Sequence, residues 1–302
     1  MRRSILPARL LLVAVALAAC ATATAPSPPP PSPTPARTPV VTPTPRPTPT
    51  PTPAVSAEDL IEATSETLDQ GSARIEFEIA FEDSNLIADG TFMSGKGQLS
   101  FAAKRQMVMS MDMPTVGLGS MDFLLDDRIL FVRGTAFVSV TGDPETWLRI
   151  NLDSDHPLAK QMGSSISGQN DSSLMVYYLY GLTGDISHEG RERVGGVVAD
   201  HYAARLDLET ALDESPDEVY ELLAENIDLM MASDVDSEIG ADVWIGEDGL
   251  VYRIGYTFDL GIRMGGGQME AEMTFSDFGA PLEIDVPRRS EFVDVEDAAP
   301  EL

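Results

Sequence analysis

Residues 73–81 read Ala-Arg-Ile-Glu-Phe-Glu-Ile-Ala-Phe, and this stretch decides the fold class. Apolar side chains recur at every second position, at Ile75, Phe77, Ile79 and Phe81, and charged side chains occupy three of the positions around them. Successive side chains of a strand point to opposite faces of its sheet, so this alternation predicts a half-buried antiparallel strand. One face of the strand contacts the core and the other faces solvent.

A helix is predicted directly before this strand. Ser56 and Asp59 have the spacing of a capping box, and the helix ends near Gly71. Its mostly apolar stripe consists of Leu60, Ile61, Thr64 and Leu68.

After the first strand, short alternating runs predict an antiparallel meander that builds one large curved sheet. Two helices, at 158–165 and 174–182, interrupt it. The predicted strands are 86–93, 98–103, 106–113, 121–125, 129–133, 136–140, 147–152, 186–194, 197–208, 239–245, 250–260, 268–278 and 282–286.

The strongest helix signal lies at residues 215–232. Ser215 is a cap, Pro216 suits the first turn, and Glu218 completes a capping box. We predict that this helix covers the open side of the sheet and swings out during ligand loading. A permanently packed helix is the alternative. The apolar residues of the predicted lid are Val219, Leu223, Ile227 and Met230.

Methionine is the unusual feature of the predicted strand 106–113. Met107, Met109, Met111 and Met113 alternate with other residues, so all four point to one face. Strands usually fill such a face with β-branched or aromatic residues, whereas methionine adapts to irregular apolar ligands. We predict that this face, with Ile75, Phe77 and Ile79, lines a lipid cavity. Ordinary core filling is the alternative.

The N-terminus predicts export and lipid attachment. Three arginines precede the apolar run 10–19, which is about half as long as a membrane span. The run ends in Leu17-Ala18-Ala19-Cys20, which resembles a bacterial lipobox and implies that Cys20 is acylated. An ordinary secreted protein with a chance cysteine is the alternative. We therefore predict a signal peptide at 1–19 and an extracytoplasmic, lipid-anchored protein.

Residues 20–53 are predicted to be a tether, because 14 of the 22 prolines of the chain lie between positions 21 and 53. Such a segment samples polyproline II, reaches up to roughly 100 Å and cannot build a core. A ligand for an SH3-type domain is a second interpretation of the prolines. Residues 54–302 then form one domain.

Composition excludes several classes of function. A net charge of −29 argues against nucleic acid as a partner, and the single cysteine excludes disulfides and cysteine-rich zinc sites. No catalytic or cofactor motif is present, so we predict neither an enzyme nor a cofactor. His201 and Tyr202 are interpreted as structural. Residues 234–238 begin like a calcium loop but have Ile239 where glycine is needed, so we predict a solvated loop and no metal site.

Several segments together resemble the mycobacterial LppX, LprA, LprF and LprG lipoproteins, which are related in fold to the LolA and LolB carriers. The resemblance covers roughly residues 57–295 and, beyond the lipobox and the opening helix, rests on 72–77, 194–202, 242–253 and 275–279. It implies an α+β fold: a strongly curved antiparallel half-barrel sheet, with helices covering the open side and an apolar cavity that holds acyl chains. The long tether and the strong negative charge depart from these mycobacterial lipoproteins.

The resulting prediction is a non-catalytic lipoprotein that carries a lipid or glycolipid across the cell envelope by enclosing its acyl chains. Its predicted partners are those acyl chains and, through Cys20, the membrane, with a membrane transporter as a further candidate. The alternative is a sensor or interaction module that regulates an envelope process through a protein partner.

Overall fold

The computed structural model describes residues 55–101, 106–115, 117–164, 174–232, 235–262 and 265–298. The predicted signal peptide, Cys20 and the predicted tether lie outside these residues. The boundary predicted at residue 54 therefore stays a prediction.

One sheet holds the twelve strands of the described residues, in the order β12-β6-β5-β4-β3-β2-β1-β11-β10-β9-β8-β7. Neighbouring strands are antiparallel except β12, which pairs in parallel with β6. The strands are β1 (Ser72–Glu82), β2 (Gly90–Ser100), β3 (Gln106–Met113), β4 (Gly119–Asp126), β5 (Ile129–Gly134), β6 (Trp147–Asn151), β7 (Leu182–Val194), β8 (Val197–Asp207), β9 (Glu238–Gly246), β10 (Val251–Asp259), β11 (Gln268–Ser276) and β12 (Phe292–Asp294).

The sheet is curved and unclosed, with β12 and β7 at its two edges. Together with the helices this confirms the predicted α+β fold, an open half-barrel with helices. The helices are α1 (Ala57–Asp69), α2 (Val138–Thr141), α3 (Pro157–Ser164), α4 (Leu174–Tyr177), α5 (Leu208–Asp213), α6 (Asp217–Ala232) and α7 (Val295–Ala298), with 3-10 turns at Thr135–Phe137 and Tyr178–Gly181.

Helix α1 begins with the predicted capping box. The Ser56 hydroxyl accepts a hydrogen bond from the Asp59 N–H at 3.3 Å, and the Asp59 carboxylate accepts one from the Ser56 N–H at 2.7 Å. Two donors that the helix cannot satisfy itself are thereby paired. The buried side of α1 then packs on the core through Leu60, Ala63, Thr64 and Thr67.

The main core lies between the inner face of the sheet and the helices. Alternate residues of the strands point into it, and α1 and α6 contribute Leu60, Leu223 and Ile227. This arrangement explains the period-2 pattern of the strands and the broader apolar stripes of the helices. Outside the main core, a second, smaller cluster consists of Val194, Ala199 and Trp244, with Tyr252 packed against it.

Two predictions about the first half of the sheet are wrong. Residues 86–93 and 98–103 were expected to form separate strands, but β2 is one strand from Gly90 to Ser100, and Leu86 lies in the turn before it. Two of the residues between the predicted strands, Gly95 and Gly97, are glycines. They allow a close approach, because a Cβ atom at Gly95 would lie 2.5 Å from the Phe77 ring.

Residues 136–140 were also predicted to form a strand and are helical instead. Gly134 has φ = 136°, which ends β5 and turns the chain into the 3-10 turn and α2. A five-residue apolar run fits either a strand or a helix, and the pattern alone does not separate them.

The C-terminal strand was predicted in the wrong place. Residues 282–286 have no strand pairing in the structure, and they cross the outer face of the sheet. The last strand is β12, ten residues later, and it pairs with β6. Helix α5 was not predicted; Asp207 caps it by accepting a hydrogen bond from the Thr210 N–H at 2.7 Å.

Candidate functional site

The predicted methionine face lies on the inner side of the sheet. Met107, Met109 and Met111 are buried in the main core and Met113 is partly buried against it. In the pairing of β3 with β4, Met107, Met109, Met111 and Met113 lie opposite Leu125, Phe123, Met121 and Gly119, respectively. The face therefore continues across two strands, and five of its side chains are flexible, unbranched methionines.

On β2 the methionines face glycines, a feature that sequence analysis missed. Met111 pairs with Gly95, and Met109 pairs with Gly97. A Cβ atom at Gly97 would lie 2.9 Å from the Cα atom of Met109, so only glycine fits there without a shift. Gly95 and Gly97 have the same two-residue spacing as the methionines, and this spacing was the feature of the sequence that could have indicated the pairing.

The predicted face of β1 belongs to the same core. Ile75 is buried, and Phe77 and Ile79 are partly buried against the cluster. Their partners on β11 are Phe275, Met273 and Ala271. The structure thus brings together all seven residues that were predicted to line a cavity. Protein side chains cover them here, so their role in binding a ligand stays a prediction.

The predicted lid residues of α6 also face this core. Leu223 and Ile227 are buried, while Val219 and Met230 are partly buried. The helix begins at Asp217, two residues after the predicted cap Ser215. Opening of this helix stays a prediction.

A polar contact joins α6 to the core. The Tyr178 hydroxyl donates a hydrogen bond to the Asn226 side-chain oxygen, and both residues are buried. The Tyr256 hydroxyl donates to the Met175 carbonyl, and the two tyrosine rings meet edge to face at 5.9 Å. Burial raises the pKa of both phenols, so each stays a neutral donor. This contact orients α6 without placing a charge in the core.

The outer face carries a separate groove of about 620 Å³ between β3–β6 and the segment 283–291. Arg133 lies at one side of it, donating to the Asp122 carboxylate at 2.8 Å and stacking over Trp147 with its guanidinium carbon 4.5 Å from the ring centroid. The other charged residues of the lining are all acidic. They are Glu145, Glu283, Asp285 and Glu291.

His201 and Tyr202, which were predicted to be structural, lie on β8, where Tyr202 is buried in the main core, and His188 lies on the neighbouring strand β7. His201 Nε2 is 2.7 Å from an Asp242 carboxylate oxygen, and the imidazole stacks on Trp244 at 4.2 Å. His188 Nε2 lies 2.9 Å from Asp200, whose carboxylate also accepts hydrogen bonds from Arg191. The hydrogen bond from Arg191 is the main cause that lowers the pKa of Asp200. Each imidazole has an acidic partner on a neighbouring strand.

No metal-binding group of three or more His, Cys, Asp or Glu residues occurs in the part of the chain that the structure describes. Of the predicted acidic loop, Asp234 lies outside that part, and the Asp236 carboxylate accepts a hydrogen bond from the Glu238 N–H. Among the described helices, none has the length and apolar character needed to cross a bilayer.

Searches against family models and against curated proteins found no match. Solved structures do match. LppX from Mycobacterium tuberculosis is 18% identical over 76% of this chain and 100% of its own, with a TM-score of 0.44. LprF from Mycobacterium bovis is 12% identical over 76% and 96%, with a TM-score of 0.43.

A third match is the MucA/MucB complex of Pseudomonas aeruginosa, at 14% identity over 78% of this chain and 62% of the matched chain, with a TM-score of 0.34. The resemblance to LppX and LprF that the sequence predicted is confirmed as a likeness of fold. At these identities and TM-scores the matches assign no ligand or partner to this chain.

Proposed function

We propose that the protein is a membrane-anchored, extracytoplasmic lipoprotein that binds the acyl chains of a lipid or glycolipid and carries them across the cell envelope without catalysis. In this proposal, residues 1–19 are a signal peptide, Cys20 carries the lipid anchor, 20–53 are the tether and 54–302 bind the cargo. The observation that carries the proposal is the inner face, where the methionines of β3 pair with β4 and share one apolar core with residues of β1, β11 and α6.

The physical need for such a protein is clear. Moving an acyl chain through water costs about 0.8 kcal/mol per CH2, or on the order of 13 kcal/mol for sixteen carbons, so a carrier has to enclose the chain. A face of flexible methionine side chains can rearrange around a ligand without a fixed shape. Because other side chains of the protein cover these methionines, entry of an acyl chain requires α6 or neighbouring side chains to move.

The test is to purify the mature protein from membranes and determine bound lipid by native mass spectrometry. Met109→Trp adds bulk at the centre of the inner face. If the extra bulk costs the lipid-bound state ~1–3 kcal/mol, lipid affinity falls about 5- to 150-fold. Lys96→Trp is the matched control, because Lys96 is exposed on the neighbouring strand β2 and points outward. It should leave bound lipid unchanged.

A large loss of thermal stability in Met109→Trp with normal lipid content would show that the methionines are solid core instead. Absence of lipid in the unmodified protein would contradict the carrier proposal itself.

The outer groove favours the second candidate function, an interaction module with a protein partner. Its lining combines Trp147 and Leu124 with five acidic residues and one arginine, which suits a basic segment of another protein better than an acyl chain. A stoichiometric protein without lipid in the same mass spectra would favour this candidate.

A further inference from the structure

One end of the sheet presents apolar side chains to solvent. Six large apolar side chains are exposed in the described part of the chain, and four of them lie at this end. A single exposed leucine means little on a protein surface, but a cluster at one end of a sheet requires an explanation. We call Leu86, Leu118, Met231 and Ile262 the apolar rim.

The strand register places these residues together. Phe81 at the end of β1 pairs with Met269 at the start of β11, so the β1–β2 and β10–β11 turns lie at the same end. The Asn85 N–H and side-chain amide both donate to the Gly265 carbonyl, which joins the two turns. Leu86 lies in the first turn and Ile262 in the second.

The other two rim residues are connected to the same end. The Thr115 hydroxyl in the β3–β4 turn donates to the Thr91 carbonyl at 2.8 Å, which holds the turn that contains Leu118 beside the start of β2. The C-terminal end of α6 is also connected to this end of the sheet. Val235, just after the helix, forms an antiparallel β-bridge with Leu260, and the Val235 N–H donates a hydrogen bond to the Met230 carbonyl. Met231 is therefore part of the rim.

The opposite end of the sheet has different chemistry. Its tight turns, between β4 and β5, β7 and β8, and β9 and β10, present glycines and charged residues. They consist of Asp127, Arg128, Gly195, Gly196, Glu247, Asp248, Gly249 and the half-exposed Leu250. Among the turns that the structure describes, exposed large apolar side chains therefore occur at one end of the sheet only.

We propose that the apolar rim inserts into the interface of a lipid bilayer and holds the inner face of the half-barrel at the membrane surface. This inference rests on the proposed function and adds the surface through which cargo passes. A bilayer is favoured over a protein because the rim consists of separate points on different hairpins, without a continuous flat patch. A protein interface needs a closely packed core, whereas a bilayer adapts to separate apolar tips.

Ile262 is the most exposed residue of the apolar rim, at 92%. It lies in a turn that also contains Gly261, Gly265 and Gly266, and the last two have positive φ angles. Leu86 packs against this turn, because a Cβ atom at Gly265 would lie 2.9 Å from its Cγ atom. The two tips would therefore enter the bilayer as one unit.

The single cysteine of the chain makes a direct test available. In the mature chain with Cys20→Ser, which removes the acyl anchor, Ile262→Cys introduces the sole thiol, and it can carry an environment-sensitive fluorophore. Vesicles of phosphatidylcholine and phosphatidylglycerol should raise the emission and shift it to shorter wavelength. The same probe at Val286→Cys on the outer face, or at Glu247→Cys at the opposite end, should not respond.

A second measurement uses vesicle flotation of the same Cys20→Ser chain. Leu86→Asp with Ile262→Asp should reduce vesicle binding about tenfold or more, and tenfold corresponds to ~1.4 kcal/mol. Val286→Asp is the matched control, because Val286 is 45% exposed and Leu86 is 50% exposed. It should bind vesicles as the parent chain does.

Native mass spectrometry of lipid in these variants separates the two proposals. If lipid is bound but the probe at position 262 does not respond to vesicles, the rim proposal is overturned and the carrier proposal stands. If the probe responds but the unmodified protein holds no lipid, the rim proposal stands and the carrier proposal fails.

Discussion

At the residue scale, two buried threonines of α1 have different structural roles. Both donate a hydrogen bond back to their own helix, Thr64 to the Leu60 carbonyl and Thr67 to the Ala63 carbonyl. The Thr67 hydroxyl in addition accepts a hydrogen bond from the Val251 N–H at 2.9 Å. This contact joins α1 to the start of β10 and satisfies a buried backbone donor, a requirement that most buried N–H groups meet.

We therefore predict that Thr67→Val destabilises the protein by ~1–3 kcal/mol, because the Val251 N–H would be buried without its partner. Thr64→Val is the matched control, in the same helix and equally buried. It removes only a bond to a carbonyl that the helix already uses, so its cost should stay below about 1 kcal/mol. Urea unfolding of both variants measures the difference. Equal losses of unfolding free energy in the two variants would show that the contact between α1 and β10 contributes little to stability.

At the element scale, the sequence predicted some parts of the fold well. The bounds of β3 are those expected, because an eight-residue run with a methionine at every second position fits only the period of a strand. The capping box of α1 is present because it depends on residues three positions apart. Local chemistry determined both.

The elements that were missed depend on distant contacts. β12 is three residues long and exists because it pairs with β6, about 145 positions earlier in the chain. β2 was predicted as two separate strands, and the contact that Gly95 makes with the Phe77 ring of another strand could not be read from its own segment. The candidate site follows the same rule: strand periodicity predicted which residues share a face, but not what covers that face.

The role of helix α6 as a lid stays a prediction. Its middle packs on the core through Leu223 and Ile227, while Tyr220 near its start and Met231 near its end are exposed. Its last turn has no basic residue to stabilise the C-terminal dipole. An element with such weak ends can open locally at lower cost than the central strands.

We predict that backbone amides of α6 exchange with deuterium through local opening, faster than those of α1. Adding lipid should slow amide exchange in α6 by about tenfold, which corresponds to a free energy of ~1.4 kcal/mol coupling lipid binding to closure of the helix. Amide exchange in α1 should not change. Hydrogen-exchange mass spectrometry with and without lipid measures both helices in one experiment. Exchange of α6 as slow as that of β1 and β11, with or without lipid, would identify a permanently packed helix.

At the scale of the whole molecule, net charge determines how the protein approaches a membrane. The chain carries 49 acidic and 20 basic residues, and removal of the predicted signal peptide would take away three arginines. The surface of a membrane that contains phosphatidylglycerol is also negative. Long-range electrostatics therefore oppose the approach, while insertion of the apolar rim favours it.

We predict that binding of the Cys20→Ser chain to vesicles with phosphatidylglycerol strengthens as salt rises from about 0.01 M to about 0.1 M, because the Debye length shortens from about 30 Å to about 10 Å. Vesicles of pure phosphatidylcholine are the control, and their binding should change little over this range. Flotation at each salt concentration measures the bound fraction. Binding that weakens with added salt would instead require a basic contact surface, which is the opposite of what the acidic chain and its apolar rim provide.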